Sequence, residues 1–439
     1  MKFKIHKSWL FPIQDKQTSI LELIPSNFKN VKKVNMCVLC KGARMLCGKL
    51  SCPILLKFYY QKKTEPMINK LNLEGSSPPS LFIGRIGFPY VHIGPLIPPI
   101  YGDTSFLDTP ELWIGKNIEE IVDFRFKLVR GEYRVNVYDV NKENKIIDAI
   151  KELALSEFSV DSEAFFSKKP KMKLILNDEV QPFGPSAPLK KLSIRSMKTD
   201  HKIESVYYDT DLRASEAIMK LYKNGVLVSR IQRAFSAGIF GIKKQRRFVP
   251  TRWSITAVDS IISKELLESV KEFPIINEYR VYESNQLDNR WFVLMIPDVW
   301  SFELIEAWYP NTVWNPEGEK IVIFSDCENY YGRKGYPDIG GCYFASRLAV
   351  AEHLIKEKKQ ASIVIFREAH PGYIMPVGVW NVRENVRNAL KGKPMKFTNL
   401  KESLNYISSK LDIKMEIWIK NSKVLKNIFS QRRILEFTN

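Results

Sequence analysis

Four cysteines lie close together near the start of the chain, at Cys37, Cys40, Cys47 and Cys52. The Cys37-x-x-Cys40 spacing directs two thiolates at one point, and the loop after Cys40 is long enough to return the other two to it. Four thiolates suit tetrahedral zinc in a closed structural site, and they also suit an iron–sulfur cluster. Because no redox motif accompanies them, we expect structural zinc, with an iron–sulfur cluster as the alternative.

A second group of residues that could bind a ligand is the basic segment at residues 243–253. Basic groups neutralise phosphates, and aromatic faces stack on bases or hold a guanidinium. The segment therefore predicts nucleic-acid binding, although its two aromatic residues suit a protein core equally well. Its cations, the candidate nucleic-acid ligands, are Lys243, Lys244, Arg246, Arg247 and Arg252, and they surround Phe248 and Trp253.

Carboxylates follow two apolar runs in the second half of the chain. Asp326 and Glu328 come after a predicted strand at 320–324, and Glu368 follows another at 362–366. If these acids converged, they would suit a metal-dependent phosphodiester hydrolase. The favoured alternative is a structural network with arginines such as Arg333 and Arg367. No histidine lies in a recognisable triad arrangement, so nucleophilic catalysis has no support.

The last nine residues have the pattern of a short peptide anchor. Gln431, Ile434 and Phe437 are spaced by three, so one 3₁₀ turn would place their side chains on the same side. Side chains grouped in this way fill a pocket on a partner protein. Thr438 follows the phenylalanine, so the group contains a single aromatic ring.

The bulk composition is that of a folded protein with a strong excess of positive charge. In 439 residues, 67 Lys and Arg stand against 48 Asp and Glu, for a net charge of +19. This charge predicts a polyanionic partner, with nucleic acid ahead of an anionic membrane surface. We find no membrane-length apolar run and no secretory signal at the N-terminus, so we predict a cytoplasmic, nucleoid-associated protein without a membrane partner.

The elements that position these residues interleave strands and helices, which predicts an α+β fold with a mixed-sheet body. We expect three parts: an N-terminal segment at 1–74 with a small four-cysteine metal module, a body at 81–419, and a flexible basic tether and tail at 420–439. A turn-rich linker at 74–80 would separate the first two parts. The body can contain two subdomains that meet near 270–290, and its last strand is expected at 413–419.

Several longer segments resemble the archaeal Nre family of DNA-repair proteins. The resemblance covers nearly the whole chain, from the four cysteines to the tail. Its segments are Gly184–Pro188, Asp209–Leu212, Phe248–Asp259, Gly340-Gly341 with Arg347, and Pro376–Glu384.

The resemblance implies a cytosolic DNA-repair factor with a zinc-finger-like N-terminal module. It also implies that the tail is a PIP motif that docks on PCNA, the polymerase sliding clamp, and that the protein acts alongside the UvrABC excision system. A full PIP motif has a second aromatic residue where this chain has Thr438, so weaker clamp binding is expected. Two alternatives stay open: a metal-dependent nuclease or hydrolase acting on DNA or a nucleotide adduct, and a non-catalytic repair scaffold.

Overall fold

The computed structural model describes residues 40–49, 51–171, 184–316 and 318–430. The chain divides into two compact units, Met1–Cys47 and Gly48–Asn439. The larger unit carries the following helices: α1 Pro53–Ile68, α2 Ile118–Lys127, α3 Lys145–Leu155, α4 His201–Tyr208, α5 Ala214–Lys223, α6 Val228–Ser236, α7 Thr251–Val270, α8 Gly341–Glu357, α9 Trp380–Lys391, α10 Leu400–Ser408, α11 Met415–Asn421 and α12 Lys423–Ser430.

Two six-stranded sheets form the centre of this unit, and each contains one parallel pair among antiparallel neighbours. The strand order is β1-β5-β6-β4-β3-β2 in the first sheet and β10-β9-β11-β8-β7-β12 in the second. The mixed-sheet body predicted from the sequence is confirmed. The strands are β1 Asn72–Ser77, β2 Leu81–Ile83, β3 Tyr90–Ile97, β4 Val129–Asn136, β5 Val160–Phe166, β6 Ser186–Ile194, β7 Tyr279–Gln286, β8 Asn289–Ile296, β9 Ser301–Trp308, β10 Val322–Glu328, β11 Ser362–Ala369 and β12 Met395–Phe397.

The second sheet is covered by helices on both faces. Successive side chains of a strand point to opposite faces, and β11 is apolar on both, with Ile363 and Ile365 on one side and Val364 and Phe366 on the other. The first face packs against α8 and α9, and the second packs against α10, α11 and α12. A strand buried on both faces has a continuous apolar sequence, as β11 does.

Helix α7 links the two sheets. Its residues Val258 and Ile262 belong to the core of the first sheet, together with α3, α5 and α6. Leu267 and Val270, further along the same helix, belong to the core of the second sheet. The chain therefore passes from one sheet to the other between Val270 and Tyr279.

The linker predicted at 74–80 is wrong. Residues 74–77 belong to β1, which pairs with β5 along its whole length. The polar, glycine-containing sequence is accommodated because Gly75 packs against the carbonyl of Pro98, where a side chain has no space.

The strand predicted at 413–419 is also wrong, since Met415–Asn421 is helix α11. The apolar alternation in this sequence suggested a strand, yet Met415 and Trp418, three residues apart, are the buried pair and Ile417 is exposed. The described part of the predicted tether forms the end of α11 and the whole of α12. The Lys423 and Val424 amides of α12 donate to the buried Glu303 carboxylate at 2.8 and 3.0 Å. Within the described ranges, no helix combines the length and apolar character needed to cross a membrane.

Candidate nucleic-acid interface

The basic segment connects α6 to α7 and begins with a 3₁₀ turn at Lys243–Gln245. Lys243, Lys244 and Arg252 are exposed, and Arg247 is half-buried. No carboxylate in the described part of the chain forms an ion pair with any of these four cations. They are therefore available to an anionic ligand.

Arg246, the fifth predicted cation, is used inside the protein. Its guanidinium donates to the carbonyl oxygens of Gly241, Tyr207 and Asp209 at 2.8, 2.8 and 3.0 Å. It also lies over the Tyr207 ring, 5.4 Å from the centroid. Arg246 therefore fixes the segment to α4 rather than facing outward as a phosphate ligand.

The two aromatic residues of the segment are likewise structural. Phe248 is 1% exposed and belongs to the core of the first sheet. Trp253 packs on Phe88 with ring centroids 5.1 Å apart. The core interpretation is therefore correct for Phe248, whereas Trp253 is half-buried and packs against Phe88 at the surface.

The first residues of α8 and α9 meet at Thr256, which lies one turn after Arg252 in α7. A Cβ placed on Gly341, the first residue of α8, would lie 3.2 Å from Thr256 and 3.2 Å from Val379, which precedes α9. The N-cap residues of α7, α8 and α9, which are Pro250, Gly340 and Val379, make no side-chain capping hydrogen bond. The first turns of helices carry a partial positive charge, which adds to that of exposed Arg252. Three of the segments that resemble the Nre family meet here.

The candidate catalytic acids do not come together. Glu328 of β10 is level with Phe302 of β9, which is level with Ile363 of β11. Glu368 lies five residues further along β11, so the two carboxylates are separated by about 17 Å along the sheet. The strand order and register put them at opposite ends.

Each of these acids already has a partner of its own. Asp326 pairs with Arg333, and Glu328 pairs with Arg347 at 2.7 Å. The predicted convergence is therefore wrong, and the structural network that was its alternative is what the fold contains. A two-metal phosphodiester hydrolase built from these three acids has no geometric basis.

Glu368 does belong to one group with metal-ligand chemistry. Its carboxylate, His370 and Asp412 place three potential ligand atoms within 4.8 Å of one another. The Arg290 guanidinium lies beside these carboxylates, with a nitrogen 2.7 Å from an Asp412 oxygen and 3.7 Å from a Glu368 oxygen. The Ile413 amide also donates to Glu368 at 2.8 Å. The arginine supplies the positive charge that a metal ion would otherwise bring.

The sequence did not reveal a buried charge network that joins α7 to α9. Arg383 is 1% exposed and donates to both oxygens of Asp259, at 2.9 and 3.2 Å. It also donates to Glu384 at 3.0 Å, and Glu384 accepts from Arg387 at 2.8 Å. Both ends of the network fall in segments that resemble the family. That coincidence was the only sequence signal, because 124 residues separate Arg383 from Asp259.

Burial raises the pKa of Asp259 to about 6, since desolvation outweighs the attraction of Arg383. The unfolded carboxyl keeps its ordinary value of 3.8. Between these values the folded chain binds a proton that the unfolded chain releases, so this group makes the protein more stable as the pH falls. Relative to Asp259→Asn, the wild type should gain stability from pH 6 towards pH 4. Urea unfolding at several pH values checks this, and a relative loss on acidification would contradict it.

Cys40, a described cysteine of the predicted metal module, has surroundings that favour its thiolate. A backbone hydrogen bond from Leu46, with smaller ones from Gly42, Arg44 and Met45, lowers the pKa of the Cys40 thiol. The thiolate is the form that binds metal. Cys37 lies outside the described residues, as do Gln431, Ile434, Phe437 and Thr438 of the predicted anchor. The four-cysteine metal site and the PIP motif therefore stay predictions.

Fold and site together define a basic α/β protein built on two mixed sheets. The chain belongs to the archaeal Nre family: residues 46–315 match the model of its N-terminal part and residues 328–437 that of its C-terminal part. DNA repair protein NreB of Archaeoglobus fulgidus is 40% identical over 402 residues, which are 91% of this chain and 99% of that protein.

Two further relatives carry the name DNA repair protein NreA. The one from Archaeoglobus fulgidus is 37% identical over 86% of this chain and 94% of its own length. The one from Haloferax volcanii is 34% identical over 76% of this chain and 82% of its own length. No solved structure matches the chain.

Proposed function

We propose that this protein is a DNA-repair factor that binds DNA through the exposed cations of its basic segment. The observation that carries the proposal is the set of exposed or half-exposed cations Lys243, Lys244, Arg247 and Arg252, next to three uncapped helix N-termini. Cations and helix N-termini both attract phosphate groups. The relatives named DNA repair proteins supply the biological setting.

The experiment that tests this proposal is a titration of fluorescent duplex DNA with the full chain at several salt concentrations. Binding through phosphate contacts gives an affinity that falls linearly on a log–log plot against salt. No binding at low salt, or binding that ignores salt, would overturn the proposal.

The same proposal includes recruitment to the PCNA sliding clamp through Gln431, Ile434, Phe437 and Thr438, and action alongside UvrABC. Zinc held by Cys37, Cys40, Cys47 and Cys52 would form the small metal module predicted in residues 1–74. A network of ion pairs around the former catalytic candidates favours this accessory role over hydrolysis. A scaffold without DNA contact would leave the basic segment without a partner.

Deleting residues 431–439 should abolish co-elution of this chain with the clamp on size-exclusion chromatography. The thermal unfolding midpoint of the deletion variant is the control for a general loss of folding. The opposite change, Thr438→Tyr, adds a ring whose full burial contributes about 1.5–3 kcal/mol, and it should tighten clamp binding more than tenfold. Unchanged co-elution after the deletion would reject the recruitment claim.

A further inference from the structure

The basic segment is flanked by exposed tyrosines that the sequence analysis did not include. Tyr90, Tyr138 and Tyr208 are 51, 61 and 71% exposed. Rings this exposed contribute little to a core. They lie far apart in the chain, so their position around one segment needs a structural cause.

Backbone hydrogen bonds supply that cause for the first two. The Val137 amide donates to Pro89 at 2.9 Å, and the Phe248 amide donates to Val137 at 2.9 Å. Tyr90 follows Pro89, Tyr138 follows Val137, and Arg247 precedes Phe248. Backbone segments that are hydrogen-bonded to each other lie about 5 Å apart. The two rings and the Arg247 cation are therefore carried on three neighbouring stretches of chain.

The 3₁₀ turn Val137–Asn141, which carries Tyr138, lies alongside the basic segment at both of its ends. Val137 accepts from Phe248, and the Asn141 side chain donates to the Lys243 carbonyl at 3.2 Å. Tyr138 thus lies between the two points of contact. Arg246 of the segment donates to the carbonyls of Tyr207 and Asp209, and these bonds hold Tyr208, which lies between them in the chain, next to the segment.

Further cations accompany the rings. The Arg134 guanidinium lies over Tyr90, 5.7 Å from the ring centroid. Lys142, with a side chain 72% exposed, follows the turn. The carboxylate of that turn, Asp139, is already paired with Lys142 at 2.8 Å. Rings and positive charges are thus carried on the same neighbouring stretches of chain.

We propose that this surface, defined by Tyr90, Arg134, Tyr138, Lys142 and Arg247, binds an unpaired stretch of DNA, a specificity that rests on the proposed DNA-binding function. Aromatic faces stack on bases only where those bases are not already stacked in a duplex, while cations hold the backbone. The expected ligand is a single strand, such as a gap, a flap or an opened lesion site. A duplex engages the cations but not the rings.

The test compares Tyr90→Ala/Tyr138→Ala with the wild type, using a 20-nucleotide single strand and the corresponding duplex in fluorescence anisotropy. Tyr331→Ala is the control, because Tyr331 is 91% exposed and lies in the turn after β10. Each lost stacking contact lowers affinity about fivefold or more. The double variant should therefore bind the single strand at least about 25-fold more weakly, with little change for the duplex.

Equal losses on both ligands, or no loss on the single strand, would overturn the inference. These outcomes are distinct from failure of the proposed function. If the wild type binds neither DNA, both proposals fail. If it binds duplex with normal salt dependence and the double variant binds the single strand as the wild type does, only the assignment of an unpaired strand fails.

Discussion

Arg383→Met should lower the free energy of unfolding by about 3–5 kcal/mol, because it leaves the fully buried Asp259 carboxylate without its charged partner. Arg383 donates two hydrogen bonds to that carboxylate, and after its loss the Gln232 amide, at 2.8 Å, is the one donor that remains among the described residues. Methionine retains most of the packing volume, so charge rather than a cavity dominates the effect. Urea unfolding followed by circular dichroism measures it.

Two variants show whether the pair itself is responsible. Arg383→Met/Asp259→Leu removes both charges, and it should recover much of the lost stability, since a buried ion pair is often replaceable by apolar groups. Lys116→Met breaks the pair with Glu120, in which both side chains are partly exposed, at 42 and 38%, and should cost at most about 1 kcal/mol. A small effect of Arg383→Met, or no recovery in the double variant, would show that the network is not what joins α7 to α9.

The second large effect is expected on DNA binding. Lys244→Glu/Arg252→Glu reverses two exposed charges of the basic segment without touching Arg246, whose hydrogen bonds hold the segment in place. Each phosphate contact contributes about 0.9 to the salt slope, so the loss of two should weaken duplex binding on the order of 30-fold near physiological salt. The matched control is Lys401→Glu/Lys414→Glu, which changes net charge equally at exposed positions in and near α10.

The sequence predicted those parts of the molecule that depend on local pattern. The mixed-sheet body, the strand predicted at 362–366 and the presence of an exposed cationic segment all follow from residue types along short stretches. Arg246 was misassigned because its acceptors at Tyr207 and Asp209 lie nearly forty residues away. Nothing in a short basic segment distinguishes a guanidinium that folds back from one that faces solvent.

The acids were misplaced for a different reason. Whether Glu328 and Glu368 meet depends on strand order and direction, and β9 lies between their strands, antiparallel to one and parallel to the other. Hydrophobic runs predict strands but not their neighbours. The Arg383–Asp259 pair and the tyrosines around the basic segment have the same origin, since each joins residues that are distant in the chain.

If DNA contacts the basic segment, reversing the charges of that segment must change how binding depends on salt. Duplex affinity should be measured between about 50 and 200 mM salt for the wild type, Lys244→Glu/Arg252→Glu and the control variant. The log–log slope should become shallower by roughly 1.8 in the first variant only. An equal slope in all three proteins, or an equal change in the control, would contradict this contact.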